Sequence, residues 1–519
     1  MKFGAQLILA MSLLSCASAV VASSPAAPVI SVGVTDVRQL EFDWTPVTKV
    51  GWYELWFRSA SGAPWVKLKE TPPQHALFRI GVGVHLLDWP AARYYVKACN
   101  PSGCTASNEV GVNGLQREAI GFFKPLATPD DEGVTYGGNP ALSADGKTLV
   151  TVDNERVNPT TRTTVLYVYR KKTPSSGWRL EARLKPSVRG TTSSPYISDQ
   201  LAISGDGNLI AYGAWIEDAA IPPPNLETGA VYLFRRSGST WTQSQRIPGA
   251  RWSDEIGYNV KLDDAGQTLL ATHFVVDNEI QDAVDIYRVD GSSNQFTYRD
   301  TLRVPVVNGT PASCSLGLAL SGDGNTIFRS CLTTSSSRYF VQVIDAHTLI
   351  ETGSVDGGSG DGVESSYDGT HIIVQNEADA VAFDKTSSGW VMSGILGSFG
   401  GVPYNSRRHI ALSRDGKIAA LGSPSDIALG RGPIFPPYQT ADHATGGVII
   451  HERRASGWVL RRLVKPDTDN AGWFGYSVAL GDNGKVLAVS AILDPSAATG
   501  IDGDRDDASA MNRGAVWLY

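Results

Sequence analysis

Seven times after residue 140 the chain spells a short turn between two apolar runs, and this repeat constrains the fold more than any other feature. The copies are Ser143-Ala144-Asp145-Gly146-Lys147, Ser204-Gly205-Asp206-Gly207-Asn208, Asp263-Asp264-Ala265-Gly266-Gln267, Ser321-Gly322-Asp323-Gly324-Asn325, Ser366-Tyr367-Asp368-Gly369-Thr370, Ser413-Arg414-Asp415-Gly416-Lys417 and Gly481-Asp482-Asn483-Gly484-Lys485. Each follows a short alternating strand such as Val478-Ala479-Leu480 and precedes an apolar one such as Val486-Leu487-Ala488-Val489. An Asp that bonds its own backbone and a Gly free to take a positive φ make such a phrase a hairpin turn. Hairpins recurring at intervals of roughly 45–70 residues predict a radially repeated β-fold, in which no unit buries its apolar face alone.

The bulk composition agrees. With 42% hydrophobic residues, 54 Gly and 28 Pro among 519 residues, and no long helix-period run, the chain reads as all-β and rich in turns, with two domains. The net charge of −7 comes without a basic, aromatic-rich stripe, which excludes nucleic acid as an expected partner. Lys2 and the apolar run Phe3 to Leu14 read as a secretory signal peptide over residues 1–22, too short to span a bilayer permanently. Two cleavage patterns compete there. Leu13-Leu14-Ser15-Cys16 resembles a bacterial lipobox that would lipidate Cys16 and give an outer-membrane lipoprotein, whereas Ala17-Ser18-Ala19 and Val20-Val21-Ala22 suit release into the periplasm or medium. A lipid anchor is the only membrane contact expected, and a monomer the expected state. Apart from Cys16 the cysteines are even in number, as in an oxidising compartment. Cys99 and Cys104 flank a tight turn, and Cys314 and Cys331 lie on opposite arms of the fourth hairpin, so two disulfides are predicted.

Residues 27–113 form the first expected domain. Runs such as Leu40-Glu41-Phe42-Asp43-Trp44, Tyr53-Glu54-Leu55-Trp56-Phe57, Trp65-Val66-Lys67-Leu68 and Tyr94-Tyr95-Val96-Lys97-Ala98-Cys99 give the alternation of a seven-stranded β-sandwich. With Pro28 at the entry, Trp44, Tyr53 and the Tyr94 stretch ending in Cys99-Asn100-Pro101-Ser102-Gly103-Cys104, this region resembles a fibronectin type III domain. The resemblance implies a core role for Trp44 and Tyr94 and a presenting role for the module.

The second expected domain spans residues 116–519. Its last repeat reads Gly472-Trp473-Phe474-Gly475-Tyr476-Ser477-Val478-Ala479-Leu480, then the turn, then Val486-Leu487-Ala488-Val489-Ser490-Ala491, then Gly514-Ala515-Val516-Trp517-Leu518-Tyr519. Fragments recur at Tyr212-Gly213-Ala214, Gly229-Ala230-Val231-Tyr232-Leu233-Phe234, Ile256-Gly257-Tyr258 and Leu421-Gly422-Ser423-Pro424. These resemble the FG-GAP repeats of integrin α-chain and bacterial envelope propellers, which implies a seven-bladed β-propeller. Fourth strands are expected near Trp178, Trp241, Phe296, Trp390 and Trp458. The last repeat lacks its fourth strand, and Gln116 to Pro125 has the matching profile, so this segment is expected to complete that sheet and close the ring.

Connections between second and third strands read as long at 153–163, 215–228, 423–445 and 492–513 and short elsewhere, so the long ones gather over neighbouring repeats, where function is expected. Trp215, Trp252, Phe435, Tyr438 and Trp473 are the ligand-binding candidates, stacking on sugar or peptide. Asp502, Asp504, Asp506 and Asp507 are calcium candidates, although Arg505 interrupts the run and no distal Glu follows. No other cofactor is expected, and the integrin calcium loops have no counterpart in these turns. Among the scattered histidines only His443, beside Asp442, invites attention, and no catalytic frame is evident. The function expected is therefore non-catalytic: an extracytoplasmic binding or adhesion protein presenting its propeller to a protein or glycan of the cell envelope. The alternative is an extracellular glycan hydrolase or lyase, which needs a paired acid and base.

Overall fold

The computed structural model describes residues 23–126, 136–158, 161–173, 176–187, 200–217, 228–250, 254–276, 279–314, 317–333, 337–357, 362–375, 379–397, 410–424, 433–434, 445–469, 471–510 and 512–519. It is all-β apart from one short helix, Gln116–Ala119. The expected signal peptide and Cys16 lie outside the described residues. Contacts divide the chain into two units: one of Met1–Val32, Phe42–Phe78 and Ala91–Gly111, the other of Gly33–Glu41, Arg79–Pro90 and Val112–Tyr519.

In the smaller unit, Trp52–Arg58 pairs with Val66–Thr71 on one side and Arg93–Asn100 on the other, and Gly103–Ala106 and Val110–Gly111 pair with the latter. Alternation puts Tyr53, Leu55, Tyr94 and Val96 on the buried face. Tyr94 packs 4.6 Å from Phe42, and Trp44 lies edge-on to Tyr53 at 5.3 Å, ring centroid to centroid. The Asn100-Pro101-Ser102-Gly103 turn sets Cys99 opposite Cys104, and the two are bonded.

In the larger unit, four-stranded antiparallel sheets follow one another along the chain, the first five each built from four consecutive strands. Sheet A comprises Gly138–Leu142, Thr148–Asn158, Thr161–Lys171 and Trp178–Leu184; sheet B, Leu201–Ile203, Leu209–Gly213, Ala230–Ser237 and Thr240–Pro248; sheet C, Val260–Leu262, Thr268–Val276, Glu279–Val289 and Phe296–Leu302. Sheet D comprises Leu318–Leu320, Thr326–Leu332, Tyr339–Asp345 and Glu351–Asp356; sheet E, Val363–Ser365, His371–Gln375, Ala380–Thr386 and Gly389–Leu396. Sheet F has Ile410–Leu412, Ile418–Ser423, Gly447–Arg454 and Gly457–Val464, with Pro433–Ile434 added at its outer edge. Sheet G has Phe474–Gly481, Val486–Ala491 and Ala515–Leu518, and its fourth strand is Gly121–Phe123 from the other end of the unit. Trp517 pairs with Phe122 in register, and their rings lie 4.6 Å apart. The first strands touch in the order A to G, and that of G touches that of A.

The repeated turns explain this order. In the regular copies the Ser hydroxyl donates to the Asp carboxylate (Ser143 to Asp145, 2.7 Å), and that carboxylate accepts the N–H two residues on (Lys147, 3.0 Å). The Ser oxygen accepts the N–H that opens the next strand (Thr148, 3.0 Å). Gly146 and its counterparts Gly207, Gly266, Gly324, Gly369, Gly416 and Gly484 all take φ between 63° and 81°. Neighbouring turns are also joined through the backbone. Ala144 N–H donates to Gly205 O, Gly205 N–H to Asp264 O, Asp264 N–H to Gly322 O, Asp323 N–H to Tyr367 O, Tyr367 N–H to Arg414 O, and Asp482 N–H to Ala144 O, at 2.8–3.0 Å. Turn thus bonds turn at each boundary from A–B to E–F and again between G and A, which satisfies groups that an isolated hairpin would leave to water.

Three features depart from the sequence reading. Most of the stretch expected as a connection at 153–163 is strand, because the second strand of sheet A continues to Asn158 and the third begins at Thr161, with Glu155 opposite Thr163 and Asn158 opposite Thr161. Sheet C, expected to have a short connection, has the same extended arm, with Val276 opposite Glu279. Sheet D has a fourth strand, Glu351–Asp356, that carries no aromatic and so gave no signal.

Candidate functional site

Of the five aromatic candidates, the structure describes Trp215 and Trp473; Trp252, Phe435 and Tyr438 lie outside the described residues, as does His443. Trp215 follows the second strand of sheet B, half-buried, edge-on to Tyr258 at 5.4 Å, and Tyr258 is edge-on to Phe274 at 5.1 Å. Its indole N–H is buried and has no acceptor among the described residues. Trp473 precedes sheet G at φ 57° and is stacked with Tyr476 at 6.0 Å. The two tryptophans sit on different sheets in separate aromatic clusters.

The acidic run after sheet G's second strand does not converge on a metal position. Asp502 Oδ1 accepts the Phe122 N–H at 2.9 Å, and Asp506 pairs with Arg117 at 2.5 Å. Asp504 accepts the Asp506 N–H, while Asp507 accepts those of Ala497 and Ser509. Among the described residues no group of three His, Cys, Asp or Glu side chains could hold a metal ion. Arg505, which looked like an interruption, is the organising residue. Its guanidinium reaches Asp467 at 3.4 Å and Asp502 at 3.5 Å, donates to the carbonyls of Arg117 and Ile120, and lies over the Trp517 ring at 5.6 Å. Beside it, Lys124 and Asp494 form a fully buried ion pair at 3.0 Å. Burial pushes the Asp494 carboxyl up and the Lys124 ammonium down, each against the attraction of the other. The run is a clasp on the strand Gly121–Phe123, a role no sequence pattern announces because its partners lie nearly 400 positions away.

Polar clusters that the sequence did not reveal recur at the same end of sheets A to C. In sheet A, Glu155 accepts from Tyr167 at 2.7 Å, from Lys185 at 3.2 Å and from Arg183. Burial alone would raise this carboxyl, but the bonds from Arg183, Tyr167 and Lys185 hold it below its ordinary value. In sheet B, Glu217 takes the same position relative to Tyr232 and Arg246, with Arg246 Nε at 3.0 Å. In sheet C, His273 lies between Asp254 (3.0 Å) and Asp285 (3.2 Å), and Asp285 also accepts from Thr301 at 2.6 Å. Burial would lower His273, yet the two carboxylates raise it to about 9.

The first strands enclose a cavity of about 200 Å³, walled by Ala141, Leu201, Leu412, Leu480 and their neighbours and crossed by the Lys261–Glu364 pair at 3.4 Å. A cyclic succession of antiparallel sheets around such a channel defines the β-propeller fold. No family model matches the sequence, and no curated protein matches it. Among solved structures, the chain is similar to hydrazine synthase of Kuenenia stuttgartiensis, at 14% identity over 70% of this chain and 94% of that one, with a TM-score of 0.40. It is similar to the Dos1 propeller at 9% identity over 76% and 94%, TM-score 0.42, and to TolB from Acinetobacter baumannii at 13% over 72% and 80%, TM-score 0.30. None of these likenesses carries an argument about what this chain binds or does, and the propeller class rests on its own strand pairing.

Proposed function

We propose that the chain is an extracytoplasmic, non-catalytic binding protein, in which a seven-bladed FG-GAP-like propeller over residues 116–519 follows a fibronectin type III-like module and engages a protein or glycan of the cell envelope. Sheets A to G supply the blades, with Gly121–Phe123 completing the last. The two disulfides, Cys99–Cys104 and Cys314–Cys331, fit an oxidising compartment, and no described helix is long and apolar enough to cross a membrane.

The observation that carries the binding reading is how the charged side chains at this end of the sheets are used. Glu155, Glu217, Asp494 and Arg505 are tied into pairs that hold strands together, so what they contribute is rigidity, while Trp215 and Trp473 stay half-buried at the loops. The test is a glycan array and an envelope-protein overlay, each followed by product analysis. Retention without turnover, weakened about tenfold or more by Trp215→Ala or Trp473→Ala, supports the reading. Released oligosaccharide would replace it with that of a glycan hydrolase or lyase.

A further inference from the structure

The outer edge of a sheet presents unpaired backbone groups to which another strand can add, and proteins ordinarily guard such an edge with charge or with a covering segment. Sheets A to D use charge. Their fourth strands carry Arg179 and Arg183 in A, Arg246 in B, Arg299 in C and Glu351 in D. Sheets F and G are covered by their own chain. Pro433–Ile434 pairs with the edge of F, which also carries Arg461 and Arg462. In G, Asp502 N–H donates to Phe122 O at 2.7 Å and Ile501 bridges Phe123.

Sheet E has neither device. Its fourth strand, Gly389–Leu396, reads Gly-Trp-Val-Met-Ser-Gly-Ile-Leu, without a charge or a proline, and pairs with Ala380–Thr386 alone. Among the described residues no other strand or backbone group bonds it. Val391, Met392 and Ile395 stand 43%, 62% and 63% exposed on it, whereas no other outer strand of the larger unit shows more than one large apolar side chain so exposed among its described residues. A bulge at Ser393 bends the strand, but sheets A to F all have one at the equivalent place, so it does not set this edge apart. The strand is held from both sides. Trp390 packs on Phe328 of sheet D with ring centroids 5.7 Å apart, and a Cβ on Gly394 would lie 2.9 Å from Trp458 of sheet F. An edge fixed in this way loses little freedom when another strand adds to it.

We infer that Gly389–Leu396 pairs antiparallel with the same strand of a second copy of this chain, joining two four-stranded sheets into one across a two-fold axis. The occupant follows from charge. Gly389–Leu396 offers no group to answer a charged partner, so its complement is an uncharged, apolar strand with an open edge of its own. Among the outer strands of the larger unit one fits that description, and it is this strand itself. Self-pairing at the other edges would bring Arg, Asp or Glu into the join, with like charges opposed in registers such as Arg179 against Arg183. At sheet E it buries Val391, Met392 and Ile395 of both copies. The monomer expected from the sequence is the dilute form of such a dimer.

The test is sedimentation velocity of the full chain from about 2 to about 200 µM, with amide hydrogen exchange read at both ends of that range. The mass is expected to move from one copy towards two, and the amides of 389–396 to gain protection as it does. Met392→Lys combined with Ile395→Lys sets like charges against each other in the join and weakens dimerisation at least about tenfold, with the melting temperature unchanged because both side chains are exposed. Tyr298→Lys, on the exposed face of sheet C's outer strand, leaves the dimer intact. A one-copy mass throughout would overturn the inference, as would a dimer that survives the double variant, one dissolved by Tyr298→Lys, or one that forms without protecting 389–396. The exchange measurement needs no variant, so the inference stays open to refutation even where the double variant fails to fold. Because no outcome depends on Trp215 or Trp473, failure here and failure of the loop-side reading are separately visible.

Discussion

The boundaries between sheets B and C, F and G, and G and A are built differently from that between D and E. At the first three, backbone meets backbone. A Cβ on Gly213 would lie 1.8 Å from Gly257 O, one on Gly422 would lie 2.1 Å from Gly475 O, and one on Gly514 would lie 2.0 Å from Tyr136 O. Between D and E, side chains fill the gap: Trp390 packs edge-on to Phe328 at 5.7 Å, and Gly353 faces the Trp390 ring with its nearest atom 3.6 Å from a would-be Cβ. Sheet D also carries the Cys314–Cys331 disulfide. Both regions form the same four-stranded sheets. The Tyr-Gly and Phe-Gly fragments that make the repeat recognisable therefore mark a kind of boundary, one in which glycine lets two chains approach, and the sheet itself does not need them.

The largest effect expected at a backbone boundary is from Gly213→Ala, which forces the Gly257 carbonyl to move and costs about 3 kcal/mol or more in urea unfolding. Gly353→Ala in the other region should change stability by less than about 0.5 kcal/mol; a similar loss for both would erase the distinction. Lys124→Met leaves Asp494 buried without its partner and should cost about 3–5 kcal/mol, read in the same assay. Breaking Cys314–Cys331, which closes a 17-residue separation, should cost about 2–4 kcal/mol for the pair of Ser replacements, and would show how much sheet D depends on it.

The pH dependence separates sheet C from both regions. His273 is raised to about 9 when folded against 6.5 unfolded, so its contribution is fully present below pH 6.5 and is lost as pH rises through about 9. Urea midpoints measured from pH 6 to 10 should fall over this window, and His273→Gln should flatten that fall. The smallest effect belongs to metal: because the Asp502–Asp507 carboxylates already have protein donors, chelator and millimolar calcium should give the same melting temperature.

Some of this was legible before any coordinates. The Asp-Gly turns, the glycines at positive φ, the two cysteine pairs and the pairing of Phe122 with Trp517 all depend on residues whose own chemistry demands a particular neighbour or backbone. Other features left no local trace. A β-bulge interrupts the pairing of third and fourth strands at one equivalent place in each of sheets A to F, between Val168 and Tyr169, Leu233 and Phe234, Ile286 and Tyr287, Val343 and Ile344, Ala382 and Phe383, and Ile450 and His451. An aliphatic residue precedes the bulge in all six and Tyr or Phe follows it in four, a pairing that any buried strand can carry, so the bulge is not announced by it and answers to the twist and bending of the whole strand pair.

The sequence by itself determined the all-β class, the hairpin repeat and the covalent cross-links, because alternation, turn chemistry and cysteine pairing act over a few bonds or one hairpin. Only the tertiary structure decided that Arg505 fastens the closing strand and that the second strand of sheet A continues to Asn158 and the third begins at Thr161. Those outcomes depend on which distant groups share a boundary, and a charge or an arginine reads the same in a sequence whether or not its complement is there.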